Sequence, residues 1–278
     1  MSPASLSAAI ADVVVDTNLP KGPSSRPGEV AITWLGHATV LIELDGVRVL
    51  TDPVLRDRVG PLVRIAPGVD PGVLGSLDCV LISHMHADHV DLPTLRALRL
   101  SGPVVAPHGS RTWLVTRGMT EVIELRPGNE TSIGDVRIIA TPARHDGRRR
   151  PFGPAADSIG YLIRGSRAVY FAGDTDLFGS MAELRGLVDV ALLPVWGWGS
   201  RLGPGHLDPQ SAAAAASVIA PAVAIPIHWG TLALGPPARR PADPQRPPRD
   251  FVTFASRYAP SVDVRLLSPG DRTAVRRP

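Results

Sequence analysis

A chain of 278 residues, 44% of them hydrophobic, is long enough to bury a sizeable core, and one large domain is expected rather than two small ones. The formal charge of +3 gives no ground for a nucleic-acid partner: Lys21 is the only lysine among 29 basic residues, and the arginine excess, beside abundant Ala, Pro and Gly, reads as a composition bias. The single Cys79 excludes an internal disulfide, and no apolar run reaches the length of a membrane span, so a cytoplasmic protein with no stable membrane insertion is expected.

Residues 1–28 are expected to form a flexible leader, and 29–278 a single domain. Asp12 and Asp16 break the apolar pieces of the leader and no basic residue precedes them, which argues against a secretory signal; the Pro- and Gly-rich run 20–28 has little to bury. Strands are predicted over 30–35, 38–44 and 47–51, the last two joined by Asp45-Gly46, the pair a two-residue hairpin requires. Asp52-Pro53 ends the third strand. Residues 53–76, with Pro and Gly among scattered Val, Leu and Ile, are predicted to be a long irregular loop of the kind that carries function. Asp91 can cap a short helix whose Leu92, Leu95 and Leu98 share one face. A βα unit starts at Val104-Val105, a strand follows over 121–125, and turns at 126–129 and 134–135 lead to a strand over 136–141. In the second half a strand pair over 158–163 and 168–172, a helix over 177–187 and a buried strand over 190–195 are predicted. Asp208-Pro209 starts the Ala-rich helix 210–219, with Pro209 at its first position, and a strand over 222–227 follows. The run 235–248 reads as a polyproline-leaning surface loop before a last helix and a strand over 262–267. Strands and helices alternate in both halves, as in a sandwich of two mixed sheets with helices on the outer faces.

One apolar strand runs straight into His84-Met85-His86-Ala87-Asp88-His89. Only 8 histidines occur in the chain, and three of them fall in this stretch. Imidazole and carboxylate suit a borderline divalent ion, and in an extended turn His84 and His86 can face one ion while Asp88 and His89 turn to a second. The other candidate ligands also sit where apolar strands end, His145 after 136–141, Asp174 after 168–172 and His228 after 222–227. Loops at strand ends on a rigid scaffold are where side chains from distant parts of a chain converge.

His84-x-His86-x-Asp88-His89 resembles the signature of the metallo-β-lactamase fold superfamily of metal-dependent hydrolases. The resemblance implies an α/β fold, a four-layer αββα sandwich of two mixed β-sheets, and two Zn2+ ions, with Mn2+ or Fe as possible substitutes. It assigns His84, His86 and His145 to one ion, Asp88, His89 and His228 to the other, and Asp174 as the bridge. Trp34-Leu-Gly-His37-Ala-Thr, Thr51-Asp52-Pro53, Gly205-His206-Leu-Asp-Pro and Ile227-His228-Trp-Gly-Thr are similar to a subgroup containing ascorbate-phosphate lactonases and the phospholipases D that cleave N-acyl-phosphatidylethanolamine. The implied activity is hydrolysis by a metal-bridging hydroxide of a small-molecule or lipid ester, either a phosphodiester or phospholipid or a lactone, with Asp88 orienting the nucleophile and His206 facing the substrate. His37 serves either structure or a hydrogen bond that fixes a ligand, and Asp52 either orients a ligand histidine or caps its turn. The arginines of 144–150 can stabilise an anion, and Trp196-Gly-Trp198 can wall the pocket. The alternative is a non-catalytic metal-binding protein of the same fold. Against it, structural zinc sites are closed cages rich in Cys, and no Cys is a ligand here.

Overall fold

Period-two alternation sets the first layer. In the computed structural model, which describes residues 26–235 and 242–276, β1 (Glu29–Gly36), β2 (Thr39–Leu44) and β3 (Val47–Thr51) form an antiparallel meander. Asp45 and Gly46 form the predicted two-residue hairpin turn and both take positive φ, 50° and 83°, as in type I′. β7 (Cys79–Leu81), β9 (Val104–Pro107) and β10 (Val122–Leu125) extend the sheet from β3 in parallel, and β19 (Arg272–Arg276) covers its other edge by pairing with β1.

The second sheet repeats the plan. β11 (Glu130–Ile133), β12 (Val136–Pro142), β13 (Ile159–Arg164) and β14 (Ala168–Phe171) run antiparallel, and β15 (Val190–Pro194), β16 (Val223–Ile227) and β18 (Asp263–Val264) continue in parallel. Both sheets are mixed for the same reason. A hairpin turns the chain back on itself, whereas a longer crossover returns it in the same direction.

Successive side chains of a strand face opposite ways, so each sheet buries two sets. Ile32, Ile42, Val49 and Leu81 meet Ile138, Tyr161, Ile163 and Phe171 between the sheets, while Leu41, Leu50, Val80 and Ile82 join Leu95 and Leu114 outside the first. That outer face is covered by α1 (Leu92–Ala97) and α2 (Arg111–Val115), and the second sheet by α3 (Pro209–Ile219) and α4 (Arg246–Tyr258). Ala212, Ala213, Ala215 and Ala216 are fully buried on α3. Its N-terminus is the predicted one, with Asp208 accepting from Ser211 N at 2.7 Å and Pro209 in the first turn. The layers run helix, sheet, sheet, helix, the expected αββα order.

Several expected elements differ. The leader lies outside the described residues as far as position 25, as do residues 236–241 of the proline-rich run. The loop over 53–76 contains β4 (Arg58–Val59) and β5 (Leu62–Arg64), which pair with each other, and β5 also pairs with β17 (Leu232–Leu234), a partner too far away in sequence to be signalled; at its end β6 (Ser76–Leu77) pairs with β8 (Arg99–Leu100). The helix expected over 177–187 is a 3-10 helix, Gly179–Leu184, because its buried Met181 and Leu184 repeat every third residue. Helix α4 begins earlier than the proline-rich run suggested, since Pro247 and Pro248 occupy its first turn, where a missing N–H leaves nothing unpaired. The strand expected over 262–267 shrinks to β18, and β19 was not anticipated.

Tyr161 on β13 links the two sheets. Its buried hydroxyl lies 2.7 Å from the Ile82 carbonyl, two residues before His84. Tyr161→Phe is expected to lower stability by about 1 kcal/mol, read as a reduced urea midpoint at unchanged slope.

Candidate metal centre

Parallel strands end at a common edge, and there the predicted residues gather. Asp52 follows β3 with φ 33°, and its N–H donates to the Leu81 carbonyl on the neighbouring β7. Its Oδ1 accepts from Ser83 N at 2.7 Å, while Oδ2 accepts from Ser83 Oγ at 2.6 Å and from His89 Nδ1 at 2.7 Å. One fully buried carboxylate therefore ties the end of β3 to both ends of the histidine loop. Within that loop the His86 carbonyl accepts the N–H groups of His89 and Val90, a tight turn that returns His89 toward His84. Ring centroids of His84 and His89 are 4.1 Å apart.

Most of these imidazoles are aimed by an oxygen behind them. His84 Nδ1 lies 3.0 Å from Ser83 Oγ, His145 Nδ1 2.9 Å from the Gly205 carbonyl, and His228 Nδ1 2.7 Å from the Trp196 carbonyl. His206 Nδ1 faces the Gly203 and Pro204 carbonyls at 3.1 and 3.0 Å. An oxygen acceptor assigns the proton to Nδ1; Ser83 qualifies because its own proton goes to Asp52. The Nε2 atoms of His84, His89, His145, His206 and His228 are thereby turned inward, whereas His86 presents Nδ1. Asp174, after β14, is where they converge: His89, His206 and His228 Nε2 lie 3.2, 3.3 and 3.2 Å from its oxygens, and His84 Nε2 4.0 Å. His89 and His228 oppose each other Nε2 to Nε2 at 3.1 Å, and His145 Nε2 lies 3.2 Å from His86 Nδ1.

Two buried atoms of this set, His84 Nε2 and Asp174 Oδ1, have no hydrogen-bond partner. The 3.2 Å approach of His228 Nε2 to Asp174 Oδ1 is not a hydrogen bond, because the His228 proton is on Nδ1. Lone pairs facing one another across such distances repel unless a cation or a proton lies among them. Separations of 3.1–3.3 Å also match those between ligands held about 2.0 Å from one ion. The residues thus fit divalent metal ions, and a set of imidazole and carboxylate without thiolate accepts zinc, manganese or iron. The donors of His84, His86 and His145 lie within 4.8 Å of one another, as do those of His37, Asp88, His89 and His228, and those of His145, Asp174 and His206.

Burial sets the protonation of most of these groups. It pushes His84, His86, His145 and His228 down, His228 to about 3, so they stay neutral at pH 7. Burial acts on His89 in the same sense, but Asp174, Asp52 and Asp88 outweigh it and hold His89 well above the ordinary histidine value; Asp174 does the same, less strongly, for His206. Burial would raise Asp174 and Asp88, yet their imidazole neighbours hold both well below the usual carboxylate range. For Asp52 burial prevails over His89 and Ser83, and its value rises.

Not every expected contact forms. Arg149 is half-buried beneath the loop, donating to the Met85 and Val90 carbonyls at 3.0 and 3.2 Å with its guanidinium over Trp113, and Arg150 pairs with Asp146. Arg144 and Arg148 are exposed. Trp196 spends its indole N–H on the Gly199 carbonyl, folding its own turn, and Trp198 is 37% exposed. Sequence reasoning missed Ser83 and the carbonyls of Gly205 and Trp196. Ser83 adjoins His84 and was in reach, but a carbonyl oxygen carries no residue signature.

Metal uptake by the stripped protein at pH 7 is expected to release protons, because the raised pKa of His89 keeps it charged until an ion displaces its proton. A pH indicator in weak buffer reads this, and His89→Gln should release fewer. Gly173, at φ 60°, leaves its missing Cβ position 2.6 Å from Ser83 Cβ. Gly173→Ala should therefore cost about 1–3 kcal/mol in denaturant unfolding and lower the metal content, since the displaced groups flank Asp174 and His84.

The chain is similar to known proteins in both sequence and fold. A family model described as the beta-lactamase superfamily domain matches residues 47–229. A protein of Mycobacterium tuberculosis is 32% identical over 236 residues, 79% of this chain, and the chain spans 63% of that relative's length. A metal-dependent hydrolase of Methanopyrus kandleri is 33% identical over 247 residues, covering 86% of this chain and 97% of its own. The N-acyl-phosphatidylethanolamine-hydrolyzing phospholipase D 1 of Caenorhabditis elegans is 31% identical over 229 residues, 73% of this chain and 64% of that enzyme. Igni18, a metallo hydrolase of Ignicoccus hospitalis, has a TM-score of 0.69 at 26% identity, covering 90% of this chain and 100% of that one.

Proposed function

The chain belongs to the beta-lactamase superfamily of metal-dependent hydrolases, and from that premise we propose that it is a dinuclear hydrolase of phosphodiester or phospholipid substrates. The observation that carries the reading is the convergence of inward-facing Nε2 atoms on the buried Asp174 carboxylate. His84, His86 and His145 would hold one ion, Asp88, His89 and His228 the other, with Asp174 shared between them. Zinc is the first choice, with manganese or iron compatible with the same donors. When bound, such ions supply Lewis acidity, lowering the pKa of water from 15.7 toward about 7 and polarising the substrate oxygen.

The protein's own groups divide the remaining work. Asp88 is 8% exposed and held as a carboxylate, so it can accept a proton from the attacking water and orient it. His206 is partly open, with its side chain 21% exposed, and its Nε2 reaches Asp174 at 3.3 Å, so it stands where a leaving oxygen would be met. The exposed Arg144 and Arg148 flank His145 and suit an anionic substrate. The likeness to a phospholipase D favours phosphodiesters over lactones. His145, His206 and Asp174 approach one another closely enough that a substrate bound at His206 would lie beside the ions.

The test is metal quantification of the purified chain, then turnover of a chromogenic phosphodiester beside a panel of lactones. The parent chain should bind two ions per chain and turn over the phosphodiester. His86→Ala should lose metal and about 100-fold or more of the activity while remaining folded by circular dichroism. Bound metal with no turnover of any ester would support a non-catalytic metal protein instead, and turnover of lactones alone would reassign the substrate.

A further inference from the structure

The turn between β1 and β2 holds a histidine that the proposed mechanism leaves unused. His37 is 1% exposed and takes φ 51°, a left-handed conformation that glycine or asparagine adopts at lower cost. Its contacts explain why a histidine stands there. Nε2 lies 3.2 Å from Asp88 Oδ2, and the ring packs on the His228 ring at a centroid distance of 3.9 Å. Its carbonyl accepts the His228 N–H at 2.8 Å and Trp34 Nε1–H at 2.9 Å, while its own N–H donates to Thr231 Oγ1 at 2.7 Å. His37 thus touches the side chain of Asp88 and both the ring and the backbone of His228, and its ring lies 5.3 Å from that of His89. Its polar and ring contacts among the described residues bypass His84, His86 and His145.

An aspartate at a strand-end turn can rotate its carboxylate about Cβ–Cγ, and one donor to one oxygen stops it. We infer that His37 is a positioning residue for the second metal ion: its Nε2–H locks Asp88 through Oδ2, its ring and carbonyl seat His228, and it thereby sets the affinity of that ion without serving as a ligand. The inference rests on reading Asp88, His89 and His228 as ligands of one ion. Groups that hold metal ligands from behind commonly change metal affinity 10- to 100-fold, so an effect of about that size is expected, confined to one of two ions.

Two variants separate this role from a structural one. His37→Asn keeps a residue that tolerates the left-handed backbone but falls short of Asp88, whereas His37→Gln suits the backbone less well but carries an amide nitrogen where the histidine has Nε2. Each protein is stripped and titrated with zinc against a chromophoric chelator, with ion stoichiometry from elemental analysis and folding from circular dichroism. The parent chain should bind two ions. His37→Asn should keep one ion at parental affinity and hold the other about 10- to 100-fold more weakly, and His37→Gln should recover most of that loss. Equal affinities in His37→Asn and the parent would overturn the inference, as would a His37→Gln no better than His37→Asn, the order that backbone strain alone would give. A parent chain that binds only one ion would remove the dinuclear reading itself and the inference with it.

Discussion

A buried carboxylate surrounded by imidazole nitrogens is the constraint on which the rest of this protein depends. Asp174 is 3% exposed and is met by Nε2 atoms from the 84–89 loop, from His206 and from His228, segments of chain far apart in sequence. In water none of these groups would stay so close, because acceptor would face acceptor. They are held there because each ring is gripped from the far side, by Asp52, Ser83 or a backbone carbonyl, and because a positive charge relieves the repulsion. The carboxylates around His89 hold its pKa well above the ordinary histidine value and so favour a proton there, and a divalent ion would supply the same relief.

The grip comes from the sandwich. Two sheets of the same plan present their parallel carboxyl ends at one edge, so Asp52 and His84 arrive from one sheet and Asp174, Trp196 and His228 from the other. The packed layer between them, with Ile42, Leu81, Ile138 and Phe171 fully buried, fixes the spacing at which the two sets of side chains meet. Tightness at that edge is extreme at Gly173, where the backbone of one sheet presses on Ser83 of the other and admits no side chain. Positive φ values at His37, Asp52 and His228 belong to the same economy of space. Strain of roughly 1–3 kcal/mol at each such residue persists because the surrounding sheets over-determine it.

The outer side of the site is built differently. His206 and the 144–150 stretch belong to irregular segments, and the arginines there divide into Arg149, which braces the histidine loop through carbonyls, and Arg144 and Arg148, which face solvent. The floor of the site is therefore fixed by the sheets, and its rim is open and carries exposed arginines. No helix among the described residues is long and apolar enough to cross a membrane.

The sequence by itself determined whatever depends on local pattern. Alternating apolar residues and Asp45-Gly46 specified the opening hairpin, Asp208-Pro209 the start of α3, and a cluster of histidines after an apolar strand a group of candidate metal ligands, because period, turn conformation and ligand chemistry are properties of neighbouring residues. The positions of His145, Asp174 and His228 at strand ends were legible for the same reason. Only the tertiary structure decided the pairing of β5 with β17, the cover that β19 gives to β1, and which carbonyl aims which imidazole. Those contacts join residues whose identities carry no trace of one another, since a backbone oxygen is the same in every residue and an edge strand is chosen by what lies beside it in space.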